Sequence, residues 1–249
     1  SSEMRISTAA IGSGSQLGSM IQGGELGYLF QNWFSPYGMD GPGPWYSLVC
    51  QRYMHDYGLT RRQLGATAVA FRKHCQLNEK AIYRGRPLTI EDYMNSPMLV
   101  DPFCRWDFSL QTDGGAAFIV TTAERAKDLK QPPVYIMRAG VGHPQSPNNI
   151  YIRTELPWGH KWAAPIAYKM AGIGPKDIDF AELYDGFTFV AFIQIPSLGF
   201  AKPDEAGEWI QGGRIELGGE MPINTHGGLC SQAHIVGINH VCEAVKQLR

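Results

Sequence analysis

The densest run of potentially reactive residues is Asn224-Thr-His-Gly-Gly-Leu-Cys-Ser-Gln-Ala-His234-Ile-Val-Gly237, a polar, glycine-rich turn between an apolar approach and a helical pattern. Downstream, Ile238, Val241, Cys242, Val245 and Leu248 recur at three- and four-residue steps, the period of one helical face. His234 is therefore expected in or just before the first helical turn. The unpaired N–H groups there disfavour an imidazolium, so the ring should be neutral and able to accept a proton. Gly227 and Gly228 supply freedom for a sharp strand-to-helix turn and let a ligand approach the main chain closely. The same spacing also suits a turn whose histidine is only a polar cap. Cys230, the thiol nearest His234 in sequence, reads as a small packing residue.

A second polar pair, Tyr184-Asp185, ends the strand-like stretch 177–185, and 220–224 reads as the strand that leads into Asn224. From about residue 115 onward, strands (116–121, 134–138, 177–185, 220–224) alternate with helices (123–129, 161–171, 187–198, 238 onward). Alternation implies crossover connections and a mainly parallel sheet covered by helices, in which function gathers at the carboxyl ends of strands. Tyr184, Asp185 and the 224–234 turn all follow strands at that edge, so they can converge without being neighbours in sequence. Upstream, a strand is expected near 4–10, followed by an irregular stretch carrying Tyr28, Phe30, Trp33, Phe34 and Tyr37. Residues 45–57 read as a helix stopped by Gly58, and Thr60 with Gln63 forms a capping box for a helix buried along Leu64, Ala68, Phe71 and Cys75. Thr89 opens another short helix, and a loop with His143 and Pro144 follows a boundary near residue 130.

With 249 residues and 44% hydrophobic side chains the chain can bury a sizeable core. Its formal net charge is -1 and its basic residues are dispersed, which excludes a nucleic-acid or polybasic membrane surface as its main business. No apolar run approaches the roughly 20 residues of a membrane span, and no secretory leader is visible. Five cysteines without a C-x-x-C pair indicate a reducing compartment. His55 and His74 have no partner at ligand spacing and read as surface or packing residues, so no metal site is expected. No glycine fingerprint for a nucleotide opens any helix. Both ends of the chain look cut.

The turn at Asn224, Gly227, Gly228, His234 and Gly237 resembles the Asn-x-x-Gly-Gly-x-x-x-x-Gly-His-Pro-x-Gly signature of the thiolase superfamily, departing from it at Ala233 and Ile235. Three further stretches are similar to that superfamily in the same order: Arg52-Tyr-Met-His-Asp-Tyr-Gly-Leu-Thr60, Thr112-Asp-Gly-Gly-Ala-Ala117, and Asp177 through Glu182-Leu-Tyr-Asp-Gly-Phe187, which looks like the sterol-carrier, lipid-transfer type. The resemblance implies a layered α/β/α fold, with 1–130 a remnant of the N-terminal half plus a helical loop region and 131–249 a truncated C-terminal half. It implies His234, Tyr184 and Asn224 as catalytic, and Asp185, Gly227, Gly228 and His226 as substrate-binding. The family's nucleophilic cysteine would align upstream of Ser1. The activity implied is carbon–carbon cleavage or formation on acyl-CoA thioesters in lipid or sterol metabolism. Thiolase-type acyl transfer stands first. Retro-aldol cleavage of a β-hydroxyacyl-CoA with a small OB-fold partner, and acyl-CoA binding without turnover, are the alternatives. Coenzyme A would be a substrate and no cofactor is implied. A homodimer is expected, in the cytoplasm, or in peroxisomes for a eukaryotic source.

Overall fold

In the computed structural model, which describes residues 28, 30–39, 41–142 and 159–249, local chain signals set most helix ends. The expected strand near 4–10 and the loop with His143 and Pro144 lie outside those residues. Helix α1 (Pro42–Tyr57) opens on a proline, whose missing N–H costs nothing in a first turn, and stops at Gly58 with φ 72°. Helix α2 (Arg61–Leu77) begins in a reciprocal box: Thr60 Oγ1 accepts from the Gln63 N–H, and Gln63 Oε1 accepts from the Thr60 N–H. Its expected face of Leu64, Ala68, Phe71 and Cys75 is buried. A second box, Thr89 with Asp92, opens α3 (Ile90–Asn95). Strands β1 (Met98–Val100) and β2 (Phe103–Cys104) form an antiparallel pair. Helix α4 (Ala123–Ala126), capped by Thr122, is shorter than the 123–129 expected. Helix α5 (His160–Ala171) ends at Gly172 with φ 73°.

Helix α6 (Thr188–Ser197) is the centre of the core. Its first eight residues are all buried, as a helix apolar on every side must be. It packs against α1, α2 and α5. The Phe192 ring meets that of Tyr53 edge-on at 5.4 Å, and Phe187, just ahead of α6, stacks on Phe103 at 5.8 Å. Each such buried side chain contributes about 1.5–3 kcal/mol. An exposed ion pair such as Arg52–Asp56 adds about 0–1 kcal/mol, so the core around α6 dominates stability. This core crosses residue 130, where a boundary was expected, because α2 packs on both α6 and α8 (Gly228–Ser231). Between them comes the one-turn α7 (Ala206–Trp209), and the described chain closes with α9 (Ile238–Gln247).

Two expectations need correction. Segments 177–185 and 220–224 do run side by side in parallel, but as one isolated bridge, Ala181 with Ile223, made by Ala181 N–H to Pro222 O at 3.0 Å and Asn224 N–H to Ala181 O at 2.9 Å. Segments 116–121 and 134–138 join no ladder among the described residues, and Ile119 and Ile136 stand 92% and 71% exposed. A strand gains its hydrogen bonds from neighbours, and these two segments have none there. Helix α9 forms where expected but faces the other way. Asn239, His240 and Glu243 point inward, while Val241 and Leu248 are exposed. A buried polar network, described next, draws the polar stripe in.

Candidate active site

His234 sits between α8 and α9, four residues ahead of Ile238, rather than within a helical turn. Its backbone is fixed by Thr112, whose hydroxyl accepts from the His234 N–H and donates to the His234 carbonyl, both at 2.9 Å. The half-buried ring is held at both nitrogens: Ser109 Oγ lies 3.0 Å from Nδ1, and the Tyr184 hydroxyl 3.3 Å from Nε2. We assign the ring proton to Nδ1, facing Ser109, which leaves the Nε2 lone pair directed at the phenol. Burial holds the imidazole below its ordinary value; Asp185 raises it and His240 lowers it further. The ring is therefore neutral at pH 7, but from desolvation first and not from the start of a helix.

Tyr184 is 40% exposed, so its ring is accessible from outside. Glycine is required beside it. A Cβ on Gly186 would stand 2.9 Å from Tyr184 Cε1, and one on Gly237, at φ 84°, would touch the opposite edge at 3.4 Å.

The other expected site residues lie behind this pair, in the interior. Asn224 adopts φ 53° and is fully buried; its Oδ1 accepts from Leu183 N–H at 2.6 Å and its Nδ2 donates to Leu183 O at 2.8 Å. It clamps two chain segments, and both its amide atoms are engaged with the Leu183 backbone. Asp185 is also fully buried. Its carboxylate accepts from the N–H groups of Leu229 (2.8 Å) and Cys230 (3.1 Å), filling the start of α8 where backbone donors favour an anion. Gly228, at φ 65°, is needed for that contact, since a Cβ there would meet Asp185 Oδ2 at 2.1 Å. Gly227, at φ 106°, makes room for Cys75 in the same way. The two glycines thus admit protein atoms instead of a ligand. His226 is 1% exposed, with Nδ1 2.9 Å from Glu182 Oε2.

Cys230, the thiol nearest His234 in sequence, is placed to pack. Cys230 Sγ donates to Asp185 O at 3.1 Å, and burial, then Asp185, pushes its thiol well up, so it packs, as its position suggested. His74 is buried, donating from Nδ1 to Asn224 O (3.0 Å) and accepting at Nε2 from Leu217 N–H (2.9 Å), while His55 is exposed.

Ser109 and Thr112 hold His234 in place and were not singled out by sequence reasoning, although Thr112 opens one of the stretches noted above. No local signal marks them. They reach His234 across 125 and 122 residues, and only the tertiary fold makes that contact.

Residues 155–249 match the family described as thiolase C-terminal domain-like. The chain is 39% identical over 221 residues to a steroid side-chain-cleaving aldolase of Thermomonospora curvata, covering 87% of this chain and 56% of that protein. It is 42% identical over 220 residues to a 17-hydroxy-3-oxo-4-pregnene-20-carboxyl-CoA lyase of Mycobacterium tuberculosis, covering 86% and 56%. The chain thus spans little more than half the length of these relatives. Among solved structures it resembles an Ltp2-ChsH2(DUF35) aldolase with a TM-score of 0.86 at 37% identity, over 91% of this chain and 60% of the other. That likeness supports the layered α/β/α fold for the chain as a whole.

Proposed function

This chain belongs to the thiolase superfamily, in its sterol-carrier type, and we propose from that premise that it carries out retro-aldol cleavage of a β-hydroxyacyl-CoA bearing a steroid or related lipid side chain. The observation that carries the proposal is the Tyr184 hydroxyl at 3.3 Å from Nε2 of a neutral His234. Retro-aldol chemistry needs a base for the β-hydroxyl and an acid for the resulting enolate, and it needs no acyl-accepting thiol. The half-exposed Tyr184 meets the substrate hydroxyl and passes its own proton to His234 Nε2 as it takes the substrate's. The Cα–Cβ bond then breaks, its electrons moving into the thioester as an enolate while the β-carbon becomes a carbonyl. The proton held on the pair returns to the enolate carbon, so atoms and charge balance without any co-reactant.

The identities to an aldolase and a lyase support this order over thiolytic acyl transfer, which the sequence alone put first. The resemblance to a two-component aldolase supports a second chain as partner, in keeping with the small OB-fold protein expected. Among the described residues no helix is long and apolar enough to cross a membrane. A comparison on the full-length protein with its partner tests the reading: a β-hydroxyacyl-CoA alone against a β-ketoacyl-CoA with free CoA. Turnover of the hydroxy substrate only is expected. Thiolysis of the keto substrate only would restore acyl transfer, and binding without turnover of either would leave an acyl-CoA-binding protein.

A further inference from the structure

Behind the Tyr184–His234 pair the fold buries three carboxylates, with side-chain exposures of 5% for Glu182, 0% for Asp185 and 8% for Glu243. Among the described residues no arginine pairs with them, and the one lysine in reach, Lys246, is itself 70% exposed. A buried carboxylate is stabilised by hydrogen-bond donors, by a protonated side chain or by a metal ion, and three so close together favour a cation among them. Two histidines face them: one ligating atom from each of Glu182, His226 and His240 lies within 4.8 Å of the other two.

The outer contacts already orient this set. Glu182 Oε1 accepts from Thr225 N–H at 3.0 Å and from Thr225 Oγ1 at 2.8 Å, which leaves Oε2. His240 Nε2 donates to Leu183 O at 2.8 Å with Asp185 Oδ1 at 3.2 Å, which leaves the Nδ1 lone pair. A carbonyl or carboxylate on the far nitrogen is how metal-ligating histidines are held. His226 Nδ1, at 2.9 Å from Glu182 Oε2, is near in distance but misaligned as a hydrogen bond. Glu182 Oε2, His226 Nδ1 and His240 Nδ1 are all buried without a hydrogen-bond partner. Asn239 Nδ2 donates to Gln232 Oε1 at 2.8 Å and to Ala233 O at 3.2 Å and stands 3.3 Å from His226 Nε2, which holds that ring in place from its far side.

We propose that Glu182, His226 and His240 bind a divalent transition-metal ion, with Zn2+ the ion that two imidazoles and a carboxylate suit best. The three unpartnered atoms become its ligands, and its charge offsets the buried carboxylates. The role is positioning. Glu182 precedes Tyr184 by two residues, and His226 and His240 bracket His234, so the ion fixes from behind the segments that carry the reactive pair. The proposal does not depend on which reaction that pair performs.

Untagged full-length protein, purified without chelator, is expected to retain about one equivalent of Zn2+ by elemental analysis. Exchange for Co2+ should give the intense visible absorption of a low-coordinate site with nitrogen ligands. Glu182→Gln and His240→Gln, checked for folding by circular dichroism, should each lower metal content at least tenfold. Wild-type protein that is isolated metal-free and takes up neither Zn2+ nor Co2+ overturns the proposal whether or not the variants fold, and imidazolium–carboxylate pairing then accounts for the cluster. Full metal retention in both folded variants places the ion elsewhere and overturns it equally.

Discussion

The hydroxyl of Tyr184 stands 3.3 Å from Nε2 of His234, a contact between a phenol and an imidazole 50 residues apart in the chain. The phenol is 40% exposed and the imidazole half-buried, so a proton can pass between them with one end of the path open to a ligand.

Removing the hydroxyl breaks this path without opening a cavity. Tyr184→Phe should lower kcat for β-hydroxyacyl-CoA cleavage by about 10²–10⁴-fold with little change in KM, the range for a positioned acid or base. Steady-state kinetics on the full-length protein measures it. A residual rate within a few-fold of wild type would exclude the phenol from the chemistry.

The pH profile follows from the environment of His234. Desolvation holds its folded value below the 6.5 of an ordinary histidine. The rate should therefore rise with pH through an inflection below 6.5 and be level at 7. Stability shares the sign. Between the folded and unfolded values the unfolded chain binds more protons, so this contribution is present above about 6.5 and is lost as pH falls towards the folded value. An inflection above 6.5 in kcat/KM would contradict the burial argument.

Ser109 fixes the ring through its contact with Nδ1 at 3.0 Å. Ser109→Ala should lower kcat about tenfold and shift the acidic inflection of the pH profile, leaving the denaturation midpoint close to wild type, since the hydroxyl belongs to a part-buried contact. A lowered rate with an unmoved inflection would mean the serine does not act through the imidazole.

Asn224 is predicted to matter for folding and not for turnover. Asn224→Ala strips two bonds from the Leu183 backbone and puts alanine at φ 53°, at a cost of about 2–4 kcal/mol in urea unfolding. Protein that remains folded should keep its kcat. A normal unfolding midpoint with lost turnover would return Asn224 to the catalytic set.

Two glycines with similar torsions separate strain from space. Gly58 has φ 72° and nothing within 4 Å of an added Cβ, so Gly58→Ala should cost about 1 kcal/mol. Gly228 has φ 65° and Asp185 Oδ2 at 2.1 Å from such a Cβ, so Gly228→Ala should cost about 3 kcal/mol or more. Equal costs would mean that the Asp185 contact is soft.

Much of this was legible in the residues because it is decided locally. The Thr60–Gln63 and Thr89–Asp92 boxes, the stops at Gly58 and Gly172, and the buried face of α2 depend on contacts within a few residues, and such contacts are written directly in the sequence. The glycine-rich turn and Tyr184 were visible as a motif, and their meeting was anticipated from two strand ends at one edge. The partners of Asn224, Asp185, Gly227, Gly228 and His226 were not legible. Residue type marks them as polar or permissive, and only packing shows that their polar atoms and empty volumes are taken by Leu183, by the start of α8, by Cys75 and by Glu182. Helix α9 makes the same point. Its periodicity fixed that it would be a helix, but which stripe turns inward was settled by the buried acceptors at Asp185 and Leu183. Ser109 had no sequence signal, because a hydrogen bond across 125 residues is made by the fold as a whole. The sequence by itself determined the helix ends that carry a capping box or a glycine stop and which residues could do chemistry; the tertiary structure decided which of them are buried and with what partner, since burial and partnership are properties of the surroundings and not of the residue.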